Sequence, residues 1–163
     1  MSPDPGAFYA SLAETLFSLT DGVPHPLSDL SNAAALIWHS LDRLNWAGFY
    51  LLGPDGVLVL GPFQGKTACI EIPVGRGVCG TAVLKNETQL VPDVHLFPGH
   101  IACDSASESE IVIPIRKGGV PVGVLDIDSP VKNRFGEEDR EGLEAFVRVL
   151  ENALPDDFPA RLL

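Results

Sequence analysis

The sequence predicts one α+β (α/β) domain over residues 1–163, a central antiparallel sheet of about six strands with N- and C-terminal helices packed against it. Three observations predict it. Apolar residues recur at helical spacing towards both ends of the chain, while the middle switches to short strand-like runs joined by hairpin turn sequences. A length of 163 residues with 45% apolar content also suits a single core.

Taken in order, Phe8, Leu12 and Leu16 recur every four residues, and Leu30, Ala33, Ala34, Ile37 and Leu41 keep a similar period. Two amphipathic helices therefore open the chain, separated by the breaker "DGVPHP". From Asn45 the period changes, and "WAGFYLL" and "VLVLGPF" flank "GPDG", a hairpin turn. "ACIEIP" reads as a strand, "GRGVCGTAVLKN" as a glycine turn entering a short helix, and "TQLVPD" as a brief strand. "EIVIPI" and "PVGVLDID" bracket "RKGG", a second hairpin. "GEEDREGLEAFVRVLENAL" closes as a helix, acidic where the dipole favours it and apolar at Leu143, Phe146, Val147 and Leu150. The connections Phe63–Thr67 and Pro92–Ser109 read as irregular, and a segment as long as the second usually covers a site.

Charge narrows the partners. The 11 basic residues face 22 acidic ones, a formal charge of −11, and no Lys or Arg precedes Arg43. Nucleic acid and anionic membrane are bound through clustered positive charge, so neither is expected; a cationic or zwitterionic small molecule fits better. The N-terminus lacks the basic start of a secretory signal and no apolar stretch approaches a bilayer span, which predicts a cytoplasmic protein. Three cysteines, Cys69, Cys79 and Cys103, are then either reduced core thiols or reactive ones. By residue chemistry alone Cys79 is the favoured nucleophile, because it follows Arg76 and a glycine turn at a helix start, where positive charge and backbone N–H groups lower a thiol pKa. Cys103 has acidic sequence neighbours, Asp104, Glu108 and Glu110.

Four blocks carry a resemblance: "NWAGFYLL", "LGPFQGKTACIEIPVGRGVCGTAV", "VPDVHLFPGHIACDSASESEIVIPI" and "GVLDIDSP". Together, over roughly residues 45 to 135, they resemble the free methionine-R-sulfoxide reductases, single GAF domains, and the cysteine intervals match that family's as well. The resemblance implies a GAF-like fold and reduction of free L-methionine-(R)-S-oxide to L-methionine. It implies Cys103 as nucleophile, left as a sulfenic acid, and Cys69 as the partner that condenses with it to a disulfide. Cys79 would pass reducing equivalents onward by thiol exchange, with thioredoxin as external reductant and no bound cofactor. It also implies a homodimer formed through the terminal helices.

The resemblance further places substrate-binding carboxylates at Glu110, Asp126 and Asp128, which would hold the ammonium group of a free amino acid and reject a peptide-bound residue. Asp126 and Asp128 alternate along a strand and so share a face, which is costly unless something satisfies them. One carboxyl kept protonated by crowding, Glu110 or Asp128, would supply the proton for the departing oxygen. Trp46 and Tyr50, four residues apart on a strand, share a face and would wall the pocket around the S-methyl group. His95 and His100 with three cysteines do not make a zinc site, because the cysteine intervals are far from the close pairs that structural sites use; no metal is expected. "GRGVCG" lacks the Gly-Lys-Ser/Thr ending of a phosphate loop, His25 and His39 read as surface or helix residues, and "GEEDREGLE" as a solvated helix face. A GAF sensor module that binds a small ligand or reports oxidation without turnover is the rival reading, since fold does not settle function.

Overall fold

The computed structural model describes residues 4–163. Helix α1, Pro5–Thr20, starts where the Asp4 carboxylate accepts from the backbone N–H groups of Gly6 and Ala7, with Pro5 in the first turn, where its missing N–H costs nothing. Helix α2, Pro26–Ser40, also opens on proline. The short α3, Gly77–Lys85, ends at Asn86 in the left-handed conformation, whose backbone N–H closes onto the last carbonyls. Helix α4, Glu137–Ala153, carries Glu137, Glu138 and Asp139 in its first turn, and the Asp139 carboxylate reaches back to the Gly136 N–H at 2.8 Å. No described helix is long and apolar enough to cross a membrane.

The strands are β1 (Trp46–Leu52), β2 (Val57–Gly65), β3 (Glu71–Pro73), β4 (Gln89–Val91), β5 (Ser109–Lys117) and β6 (Val120–Ser129), in the order β3-β2-β1-β6-β5-β4. Every pairing is antiparallel. Each central strand divides its side chains between two cores. Ala47, Phe49 and Leu51 of β1, Ile111, Ile113 and Ile115 of β5, and Leu125 and Ile127 of β6 pack under α1, α2 and α4. The alternate residues Trp46, Tyr50, Val112 and Val124 turn to the other face, where Val78, Cys79, Ala82 and Val83 of α3 cover them. Among the described residues that second face has one short helix over it, which leaves room for a site beside α3.

Several sequence expectations need correction. Phe63–Gly65 is strand, not irregular connection: Gly65, Gln64 and Phe63 pair with Trp46, Ala47 and Gly48, and a register shift between Gly48 and Tyr50 opposes one extra residue of β2, a bulge that accommodates Pro62. "ACIEIP" supplies only the three residues of β3. Within Pro92–Ser109 lies a 3-10 turn, Val94–Leu96, and Ser109 already belongs to β5. In α1 the buried aromatic is Tyr9, which donates to Asp139 at 2.6 Å, while Phe8 packs at the edge. Asp139 thus makes "GEEDREGLE" more than a solvated face.

Candidate active site

Strand register builds the floor of the site. Trp46 pairs with Asp128, and Asp128 with Glu110, so three side chains stand in a row across β1, β6 and β5 on the thinly covered face. Asp126 stands two residues along from Asp128 on the same face, opposite Gly48 and Val112. Trp46 stacks against Tyr50 at 5.8 Å and against Phe63 at 5.2 Å. Gly48 makes the second contact possible, because a Cβ there would lie 2.3 Å from that of Phe63. The polar tips of both aromatics hold the segment leading to Cys69: Trp46 Nε1 donates to the Lys66 carbonyl at 3.1 Å and the Tyr50 hydroxyl to the Cys69 carbonyl at 2.8 Å.

Over this floor Cys69 and Cys103 are joined by a disulfide, with their Cα atoms 5.5 Å apart. The connection carrying Cys103 is pinned at its far end, where Val94 N donates to the Glu108 carbonyl and Glu108 N to that of Ser129. Cys79, in the first turn of α3, is buried and unbonded. The hollow lined by Trp46, Tyr50, Cys79, Cys103, Glu110, Asp126 and Asp128 measures about 30 Å³ with the disulfide formed, room for about two water molecules. All eight residues singled out from sequence therefore meet at one place, seven of them on this wall and Cys69 through its bond to Cys103.

The electrostatics invert one expectation. Burial, then the charges of Asp126, Glu110 and Asp128, push the Cys79 thiol well above its ordinary value. Position at a helix start beside Arg76 does not lower the pKa of this thiol, because desolvation and the neighbouring acids outweigh a partial dipole charge. Burial also raises Glu110 and Asp128 well above the usual carboxylate range, with Asp126 as the next cause in each. Asp126 rises as well, through burial, but hydrogen bonds from Glu110, Asp128 and Cys79 oppose the rise. Of the three acids, Asp126 is the one whose ionised form the neighbouring hydrogen bonds favour, while Glu110 and Asp128 are each raised further by Asp126. Asp128 is half-buried as a residue, yet its Oδ1 is shut off from solvent.

Residues to which the sequence assigned no role in the pocket complete the wall. His100 lines the hollow with Nε2 3.9 Å from Glu110 Oε2, its pKa lowered by burial and by His95, so it faces the acids as a neutral ring. Asn45 and Ser107 bond to Asp104 and Asp128. Both are small polar residues of the strand and loop margins, and no spacing in the sequence distinguishes them. Among the described residues, two sets of ligand-type atoms lie within 4.8 Å of one another, Cys79, Glu110 and Asp126 inside the hollow and Asp93, His95 and Glu108 nearer the surface. Protonation makes the inner thiol and Glu110 hydrogen-bond donors, and Lys132 at 3.0 Å already supplies the cation to Asp93.

Comparison with known proteins adds the following. The GAF domain family model matches residues 16–154. A protein of Escherichia coli strain K12 named free methionine-R-sulfoxide reductase is 55% identical over 147 residues, 90% of this chain and 88% of that protein. The solved structure of the Staphylococcus aureus fRMsr in complex with substrate is 51% identical, covers 90% of this chain and 95% of its own, and superimposes with a TM-score of 0.85. The free methionine-R-sulfoxide reductase from Neisseria meningitidis, also in complex with its substrate, is 37% identical over 100% of this chain and 96% of its own, with a TM-score of 0.90.

Proposed function

This chain belongs to the GAF domain family and, within it, to the free methionine-R-sulfoxide reductases, and from that premise we propose that it reduces free L-methionine-(R)-S-oxide to L-methionine through its cysteines. The observation that carries the reading is the Cys69 to Cys103 disulfide closed over a buried acid cluster with an aromatic wall. In the proposed sequence the Cys103 sulfur attacks the sulfoxide sulfur, a carboxyl of the cluster gives its proton to the oxygen, and methionine leaves with Cys103 as sulfenic acid. The Cys69 thiol then displaces water from that acid, forming the disulfide present in this structure. The sum balances, since two thiols and one sulfoxide give one disulfide, one thioether and water.

Asp126 supplies the charge that an α-ammonium group would meet, with Glu110 and Asp128 beside it, and a peptide-bound methionine has no such cation to offer. Trp46 and Tyr50 present flat apolar faces to the S-methyl end. We infer further that thioredoxin or a similar dithiol protein returns the enzyme to its reduced form, with no bound cofactor and in the cytoplasm. The half-buried disulfide, flanked in sequence by the exposed Ile70 and Ile101, supports a protein reductant that covers an apolar rim. Cys79 would enter only after movement, given its burial. A homodimer through the terminal helices belongs to the same reading.

The test is to incubate the protein with separated R and S forms of free methionine sulfoxide, using first dithiothreitol and then thioredoxin with its reductase. Methionine from the R form alone is expected with both. No methionine from the R form would turn the reading towards a redox-reporting GAF module.

A further inference from the structure

We propose that Asn45 and Ser107 are positioning residues, a hydrogen-bond relay of fixed direction that makes Asp128 Oδ2 an acceptor and confines the proton of this carboxyl to Oδ1. The proposal rests on the reductase reading, in which the acid cluster must release one proton to the departing oxygen.

The direction is set at Asp104. Its carboxylate accepts from Ala106 N at 2.9 Å and from Asn45 Nδ2 at 3.0 Å, and these bonds hold it ionised, below the usual carboxylate range. An ionised carboxylate offers only lone pairs, so the Asn45 amide turns its NH2 group and not its oxygen towards Asp104. The second hydrogen of that nitrogen reaches Ser107 Oγ, also at 3.0 Å. Ser107 therefore accepts from Asn45, and its single hydroxyl hydrogen is left for Asp128 Oδ2 at 3.0 Å. Since Oδ2 receives a hydrogen, the proton of a neutral Asp128 sits on Oδ1. That atom is buried with no donor partner, which is costly for a bare oxygen but natural for a hydroxyl directed at Asp126.

The relay has a chemical consequence. Once Asp128 gives up its proton it becomes a buried carboxylate faced by Glu110 from β5, Asp126 from β6, Cys79 from α3, Tyr50 from β1, and Asp104 and His100 from the connection. Arg76, the residue before α3, also lines the hollow but is not among the leading influences on Asp128, and the six groups just named carry no positive charge near neutral pH. Ser107 is the neutral donor that meets the new charge, so it pulls the Asp128 pKa down against burial and lets the proton leave. Neither Glu110 nor Asp126 has a hydroxyl donor of this kind among the described residues. Asn45 also donates its backbone N–H to the Asp128 carbonyl at 3.0 Å, which fixes the spacing between the ends of the relay.

The test compares Ser107→Ala, Ser107→Thr and Asn45→Ala with the wild type in single-turnover methionine formation by pre-reduced protein across the pH range, alongside carboxyl 13C NMR titration of Asp128. Ser107→Ala is expected to lower the rate at saturating sulfoxide about tenfold with KM little changed. Its alkaline limb should move up by about one pH unit, because the charged form has lost its donor. Threonine should restore both, and Asn45→Ala should shift the limb the same way by less. An unchanged rate and limb in Ser107→Ala, or a threonine variant as impaired as the alanine one, overturns the relay. Should the wild type itself form no methionine, the functional reading fails, and the relay then stands or falls on whether the Asp128 midpoint rises in Ser107→Ala.

Discussion

At the level of single residues the three thiols have separate fates, set by what surrounds each sulfur. Cys79 is pushed up by burial and by the acids, so at neutral pH in the native protein it should resist iodoacetamide, while the reduced Cys103 and Cys69 are modified. Mass spectrometry of the alkylated protein reads this directly; fast labelling of Cys79 would show that the helix start dominates after all. The roles of the other two separate in one experiment. Cys103→Ser should form no methionine in a single turnover without reductant, whereas Cys69→Ser should complete that turnover and leave a sulfenic acid that dimedone traps. Equal loss in both variants contradicts the assignment. Part of this was legible beforehand: the alternation in "GVLDIDSP" puts two acids on one face and Trp46 and Tyr50 share theirs, while the pairing of Trp46 with Asp128 that joins the two faces comes from the register. The relative acidity of the thiols was not legible, because adjacency in sequence does not report which charges point at a sulfur. Arg76 precedes α3, yet burial and the acids of β5 and β6 decide the state of Cys79.

At the scale of elements the site depends on the close approach of β1 and β2. Gly48 lies opposite Phe63, and an added Cβ would meet Phe63 Cβ at 2.3 Å, Phe63 Cα at 2.7 Å and the Pro62 carbonyl at 2.8 Å. Two of these contacts are backbone, so a rotamer change cannot relieve them and the strands must part. Gly48→Ala should therefore cost about 3 kcal/mol in urea unfolding and loosen the stack of Trp46 on Phe63; a loss below about 0.5 kcal/mol would show that the bulge absorbs the methyl group. Both hairpins were readable from "GPDG" and "RKGG", and the helices from their apolar period, because those signals are local. The end of β2 was not, since strand character in "VLVLGPF" stops at Phe63, and Gln64 and Gly65 join the sheet only through their pairing with Ala47 and Trp46. Asn45 and Ser107 escaped for the same reason, as their partners lie 59 residues away for Asp104 and 21 for Asp128.

For the whole molecule, holding Glu110 and Asp128 neutral couples the site to global stability. In the unfolded chain both carboxyls ionise near pH 4, whereas the native protein keeps them protonated to higher pH. The native state therefore binds more protons than the unfolded one above about pH 4, and stability must fall as pH rises through that window towards the native pKa values. Each group contributes a slope of up to about 1.4 kcal/mol per pH unit, reduced wherever the native cluster relaxes or admits water. Asp93 acts in a different window: Lys132 and His95 hold it at about 2, so whatever it contributes is present above the ordinary Asp range and lost only as pH falls towards 2. Melting temperatures of the wild type should thus decline from pH 5 to pH 8, and Glu110→Gln, which keeps the shape but cannot ionise in either state, should flatten the decline while removing most of the activity. A variant with the wild-type slope would mean that Glu110 is already ionised in the native fold. In that case Glu110 would present a second carboxylate to the pocket, and Asp126 alone would no longer supply the charge proposed to meet the ammonium group.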